Sequence, residues 1–172
     1  PQKGVDFNVE DEYGTGVEIK KKMFYTSGRK KFNWLILKAA ASDNFPGNAG
    51  SHPAAHIRDA YDQTLAEKFN MNLDIRRMDH CLVFINGQYW GVYEYRERVD
   101  ADYFDHYYDQ QEQYVDNLQY WGGMNVKLGS DTAWDNLYYY VTSHNMAVPA
   151  YYQHVTDRLD IMSLIDAIVL GT

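Results

Sequence analysis

Val5, Phe7 and Val9 alternate with polar neighbours, and the run VEIKKKMFY from Val17 to Tyr25 alternates again beyond the Gly-bearing stretch DEYGTG. That period of two predicts two strands joined by a turn. A third strand is expected in FNWLILKA, which is apolar enough to be buried on both faces. The three together suggest an antiparallel sheet. Turn formers fill DNFPGNAGSHP, from Asp43 to Pro53. Beyond them Ile57, Tyr61, Leu65 and Phe69 recur at four-residue spacing, which predicts a helix from about Ala54 to Phe69 with that face packed on the sheet. In CLVFINGQYWGVYEYRERV the pair Asn86-Gly87 separates two strand-like runs. Both central positions of a type I′ turn need positive φ, so this pair predicts a β-hairpin.

The pattern changes near residue 100. Asp100 offers a cap for a short helix through Tyr107, and DQQEQYVDNLQYWGG reads as a long connection ending at Gly122-Gly123 before a short strand, MNVKL. Ser130 and Asp131 offer caps for TAWDNLYYYVTSHN, Pro149 suits the first turn of a further helix, and Asp160 precedes the apolar helix IMSLIDAIVL. The expected fold class is α+β: a strand-rich part with one helix over residues 1–99, then the start of a mainly helical part over 100–172.

Composition narrows the function classes. Sixteen basic against 24 acidic residues leave a net charge of -8, which disfavours a nucleic-acid partner. Apolar residues make up 45% of the chain and Tyr alone contributes 16, enough large groups to drive a packed core. No apolar run reaches the ~18 to 20 residues of a membrane span. The single Cys81, in HCLVFI, reads as a core thiol. The opening Pro-Gln-Lys and the closing DIMSLIDAIVLGT read as mid-domain sequence, so the chain is expected to be an internal piece of a longer protein.

Candidate chemistry is sparse. His52 and His56 lie four apart and are the one spacing suited to a metal, but Pro53 falls between them and no HExxH motif is present. GxSxG, GxxxxGK[ST] and GxGxxG are all missing, and Cys81 lies mid-strand, so hydrolase, P-loop and dinucleotide readings find no support. Lys20 to Lys22 with Arg29, Lys30 and Lys31 read as a solvated strand face and turn rather than an acidic-partner patch. The neighbouring Tyr138, Tyr139 and Tyr140 point in different directions on a helix, which suits packing better than a sugar-stacking platform.

Three segments in order, PQKGVDFNVEDEYG, IRDAYDQTLAEKF and VFINGQYWGVYEYRERVD, resemble the CotH (spore coat protein H) family of atypical, kinase-like proteins. The resemblance implies a kinase-like nucleotide-side lobe followed by part of a helical lobe. It implies that Lys3 meets the nucleotide phosphates, that the helical pair Arg58-Asp59 supplies an acid partnering that lysine, with Asp62 and Glu67 as alternatives, and that Glu97 stands at the junction between lobes, orienting nucleotide or bracing the structure. Lys38-Ala39 departs from the Arg-Asn often found at that point of the family. The family's catalytic and metal-binding carboxylates are expected beyond residue 172, so none is assigned within the chain, which alone should be inactive.

The function implied is Ser/Thr protein phosphorylation, with ATP and Mg²⁺ or Mn²⁺, on proteins of an extracellular surface or coat. A rival reading from another class is a non-catalytic surface or coat protein used for adhesion, with its Tyr and Trp side chains meeting glycans.

Overall fold

The computed structural model describes residues 3–9, 18–40, 43 and 54–171. It divides into two compact units, residues 1–70 with 74–99, and residues 71–73 with 100–172.

The first unit contains β1 (Val5–Asn8), β2 (Ile19–Lys20), β3 (Lys31–Phe32), β4 (Trp34–Lys38), α1 (Arg58–Lys68), β5 (Met78–Ile85) and β6 (Gln88–Glu97). Its main sheet is antiparallel with the order β1-β4-β6-β5, so the α+β expectation holds. Asn86 and Gly87 form the β5–β6 turn with φ of 50° and 78°, as the Asn-Gly pair requires.

β6 is a central strand, and its alternation sorts the unit into two sides. Tyr95 stacks on Phe24, with ring centroids 5.3 Å apart, and its hydroxyl donates to the Met23 carbonyl. With Phe32 and Leu35 these residues form the hydrophobic core. Glu94 and Arg96, one residue out of phase, face the other way, where Arg96 meets Asp59 of α1.

Three expectations need correction here. The described part of the run Val17–Tyr25, residues 18–25, does not pair with β1, which pairs instead with β4. Among the described residues of that run only Ile19–Lys20 is strand, pairing with β3, because the backbone then turns to bury Phe24 against Phe32 and Tyr95. The intervening turn lies outside the described residues, as does most of Asp43–Pro53. In α1 the expected apolar face is not the inner one: Ile57, Tyr61 and Phe69 are exposed, while Ala60 and Ala66 are buried. Polar partners set the rotation of the helix, since Asp59 meets Lys38 and Arg96, Gln63 accepts from the Arg76 amide at 2.8 Å, and Glu67 pairs with Arg77 at 3.4 Å. Arg29, expected on a solvated face with its basic neighbours, is buried.

The second unit contains α2 (Ala101–Tyr108), β7 (Asn117–Tyr120), β8 (Met124–Leu128), α3 (Thr132–Ser143), α4 (Pro149–Thr156) and α5 (Ile161–Leu170). Asp100 and Asp160 cap α2 and α5, accepting from the Tyr103 and Ser163 amides at 3.0 Å each, and Pro149 opens α4. The stretch read as a long connection contains β7, which pairs with β8 in a hairpin. Neither Ser130 nor Asp131 makes a side-chain cap on α3; the Asp116 carboxylate accepts from the Ser130 amide at 2.7 Å instead. Among the described residues no helix is long and apolar enough to cross a membrane.

Candidate functional site

The first unit gathers five charged or titratable side chains on the α1 side of its sheet. β4 ends at Lys38, which stands across from Glu94 of β6, and Glu94 in turn stands across from His80 of β5. Residues opposite one another in an antiparallel pair share a face. From α1, one oxygen of Asp59 takes both the Lys38 ammonium and a guanidinium nitrogen of Arg96.

The start of α1 is fixed by Asp43, whose two oxygens accept from the amides of Ala55 at 2.6 Å and Arg58 at 3.1 Å. The Arg58 guanidinium lies 3.5 Å from the same carboxylate. Burial would push the Asp43 carboxyl up, but these backbone donors and the Arg58 charge hold it below the ordinary range. Arg58 thus positions the loop-to-helix turn, leaving Asp59 to face the sheet.

Burial likewise works against ionised Asp59, yet the Lys38 hydrogen bond and the charges of Arg96 and Lys38 outweigh it and keep the group a carboxylate. Glu94 differs. It is only 1% exposed, both its oxygens are buried, and neither has a hydrogen-bond partner among the described residues. Burial raises its pKa, and the attraction of Lys38 and Arg96 does not offset that.

Lys3, the residue expected to partner Asp59, is exposed, and its backbone carbonyl accepts from the Tyr93 hydroxyl at 3.0 Å. The structure brings Lys38, not Lys3, to Asp59. The first β1–β4 pair is Val5 with Leu37, so continuing that register places Gly4 opposite Lys38, and Lys3 lies at the same end of the sheet. Glu97 points to the core side, where its carboxylate lies 3.5 Å from Arg29 and accepts from the Arg77 amide at 3.1 Å, with both charged side chains sealed from solvent. Of the two roles expected of Glu97, this enclosure suits bracing.

Glu94 and Arg96 were not singled out from the sequence, and Lys38 entered only as a departure from the family's Arg. The usable signal was the run VYEYRE, which places two charges on the same side of a strand too apolar to be an edge; buried charges need partners.

The remaining candidates are less coherent. His52 lies outside the described residues, while the His56 ring meets the Val92 carbonyl at 3.2 Å. No group of three or more His, Cys, Asp or Glu able to hold a metal occurs among the described residues. Tyr140 stacks on His144 and His154, at 4.1 and 3.9 Å between centroids, whereas Tyr138 and Tyr139 are exposed.

A family model described as CotH kinase protein matches residues 17–172, all but the first sixteen of the 172 positions. The chain belongs to the CotH kinase family. Membership gives this CotH chain a kinase-like function, and the match includes Lys38, Asp59, Glu94 and Arg96 but not Lys3. No curated protein and no solved structure matches the chain.

Proposed function

We propose that this CotH chain forms the nucleotide side of an atypical Ser/Thr protein kinase, and that Lys38 and Asp59 hold the phosphates of ATP for transfer of its γ-phosphate to a coat or cell-surface protein. The supporting observation is the Lys38–Asp59 pair, a lysine on a central strand held by an acid from the next helix. Protein kinases place a strand lysine against the α- and β-phosphates and align it with a helix carboxylate in the same way. The lysine is a compact point charge on a flexible stem, so its carboxylate partner is what fixes where the charge sits. Arg96, on the same Asp59 oxygen, limits the freedom of that carboxylate. Lys3, the phosphate lysine implied by the resemblance, lies at the same sheet end but one residue out of phase with Gly4, the position opposite Lys38.

The family also implies Mg²⁺ or Mn²⁺, which would neutralise phosphate charge. Its coordination is assigned to none of the described residues, since no three-ligand cluster exists among them. Secretion to a surface or coat follows the same family reading.

Titration of the chain with a fluorescent ATP analogue, in Mg²⁺ and separately in Mn²⁺, tests the site. Lys38→Ala should weaken binding by about tenfold or more while far-ultraviolet circular dichroism stays unchanged, as expected for loss of a charge-assisted phosphate contact. Lys3→Ala should have the smaller effect. The reverse ranking would return the phosphate role to Lys3. Absence of nucleotide binding would favour the surface-adhesion reading, for which the exposed Tyr138 and Tyr139 are the supporting feature.

A further inference from the structure

The Lys38–Asp59–Arg96 cluster contains a buried acid that the kinase reading does not use. Glu94 lies across the β4–β6 ladder from Lys38, yet neither of its oxygens meets a donor among the described residues. Lys38 and a terminal nitrogen of Arg96 are both committed to Asp59. Nε of Arg96 is also buried without an acceptor among the described residues. An ionised Glu94 would have accepted from one of these donors, because a buried carboxylate without hydrogen bonds is costly.

We propose that Glu94 is a positioning residue of the phosphate site: kept as the neutral acid, it leaves Lys38, Arg96 and Asp59 with one net positive charge to present to a phosphate group. This rests on the nucleotide reading above. The charge count is two cations against one carboxylate. Ionised Glu94 would bring the cluster to zero and compete with phosphate for Lys38.

The groups facing Glu94 are Lys38 from β4, His80 from β5, Asp59 from α1 and Arg96 on its own strand. Burial and the Asp59 charge favour the proton on Glu94, against the pull of Lys38, Arg96 and His80. Raising the pH through the Glu94 titration therefore switches off the excess positive charge. Glu94→Gln has nearly the same shape and cannot ionise, so it should hold the site in its positive state at every pH.

The test is the affinity for a fluorescent ATP analogue, measured from mildly acid to mildly alkaline pH on the wild type and Glu94→Gln. Comparing the two proteins removes the titration of the ligand itself. The affinities should coincide at the acid end and diverge with rising pH, Glu94→Gln binding about tenfold more tightly at the alkaline end, the order expected for one nearby unit charge. Glu94→Asp, which restores an ionisable group, should restore the pH dependence.

Parallel profiles for wild type and Glu94→Gln would overturn the proposal while leaving the nucleotide site standing. Failure of both proteins to bind at any pH would overturn the nucleotide reading and the role given to Glu94 with it. Should the Gln variant misfold, isotope-edited infrared titration of the wild-type glutamates is decisive. One carboxyl should keep its proton above the ordinary glutamate range, and its absence would refute the proposal.

Discussion

Replacing Glu97 separates bracing from nucleotide binding. Glu97 and Arg29 are 0% and 2% exposed at their side chains, 3.5 Å apart, and Glu97 also accepts from the Arg77 amide. Arg29 lies over the Phe32 ring at 4.7 Å and donates through Nε to the Lys31 carbonyl, so the guanidinium is held in the core whether or not Glu97 is present. Glu97→Ala therefore removes a carboxylate from a charge that cannot withdraw to water. Breaking such a buried pair costs about 3–5 kcal/mol, a large part of the ~5–15 kcal/mol that stabilises a typical domain. Glu97→Gln keeps an acceptor for the Arg77 amide and should cost less. Joint replacement of the pair, Arg29→Met with Glu97→Leu, should recover much of the loss, since neither charge is then buried. Native-state hydrogen exchange at the β4 and β6 amides reports on the first unit by itself. A loss below about 1 kcal/mol for Glu97→Ala would refute the bracing argument, because that is the range of an exposed pair. Unchanged exchange together with lost ATP affinity would instead return Glu97 to the nucleotide site.

Three other outcomes follow from local geometry. Gly87→Ala should cost about 1 kcal/mol, since φ is 78° in an otherwise open turn, while Gly129→Ala should cost ~2 kcal/mol or more, because its Cβ would stand 2.6 Å from the Val115 carbonyl; equal losses on denaturant unfolding would contradict this. Asp59 is held below its ordinary 3.8, so it adds stability above that pH which is lost as pH falls through its lower folded value. The stability gap between wild type and Asp59→Asn should thus close on acidification, and a gap independent of pH would count against the assignment. Burial, and then the Asp79 charge, push the Cys81 thiol up, so its reaction with a disulfide reagent near neutral pH should be slower than that of a free cysteine; an equal rate would show the thiol to be more open than described.

What was legible in the sequence was local. Asn86-Gly87 announces the hairpin because the turn's positive φ is a property of those two residues, and Asp100, Pro149 and Asp160 mark helix starts for equally local reasons. The pairing of β1 with β4 was not legible, since a period of two fixes a strand's faces but not its neighbour. The rotation of α1 was misread because Ile57, Tyr61 and Phe69 are the larger apolar groups, whereas Asp59, Gln63 and Glu67 find their partners from the same side as Ala60 and Ala66. For the candidate site, the resemblance brought Asp59 into view but supplied Lys3 as its partner. The pairing with Lys38 depends on the end of β4 and the start of α1 meeting in space, across a segment of twenty residues whose turn formers carry no distance information.

The two sides of β6 would let bracing and the proposed phosphate site share one strand. Tyr95 and Glu97 lock it to the core through Phe24 and Arg29, while Glu94 and Arg96 point oppositely, Arg96 carrying the charge that meets Asp59 and Glu94 standing across from Lys38. A strand held firmly on one side can keep charged groups in fixed places on the other, which is what a phosphate site needs, because electrostatic stabilisation depends on charges that do not reorganise when the ligand arrives. The arrangement also makes the consequences of substitution separable. Changes at Glu97 or Arg29 should act through stability, and changes at Lys38 or Glu94 through affinity and its pH dependence. A Glu94→Gln protein that lost stability but kept the wild-type binding profile would break that division and place the whole of β6 in the structural core.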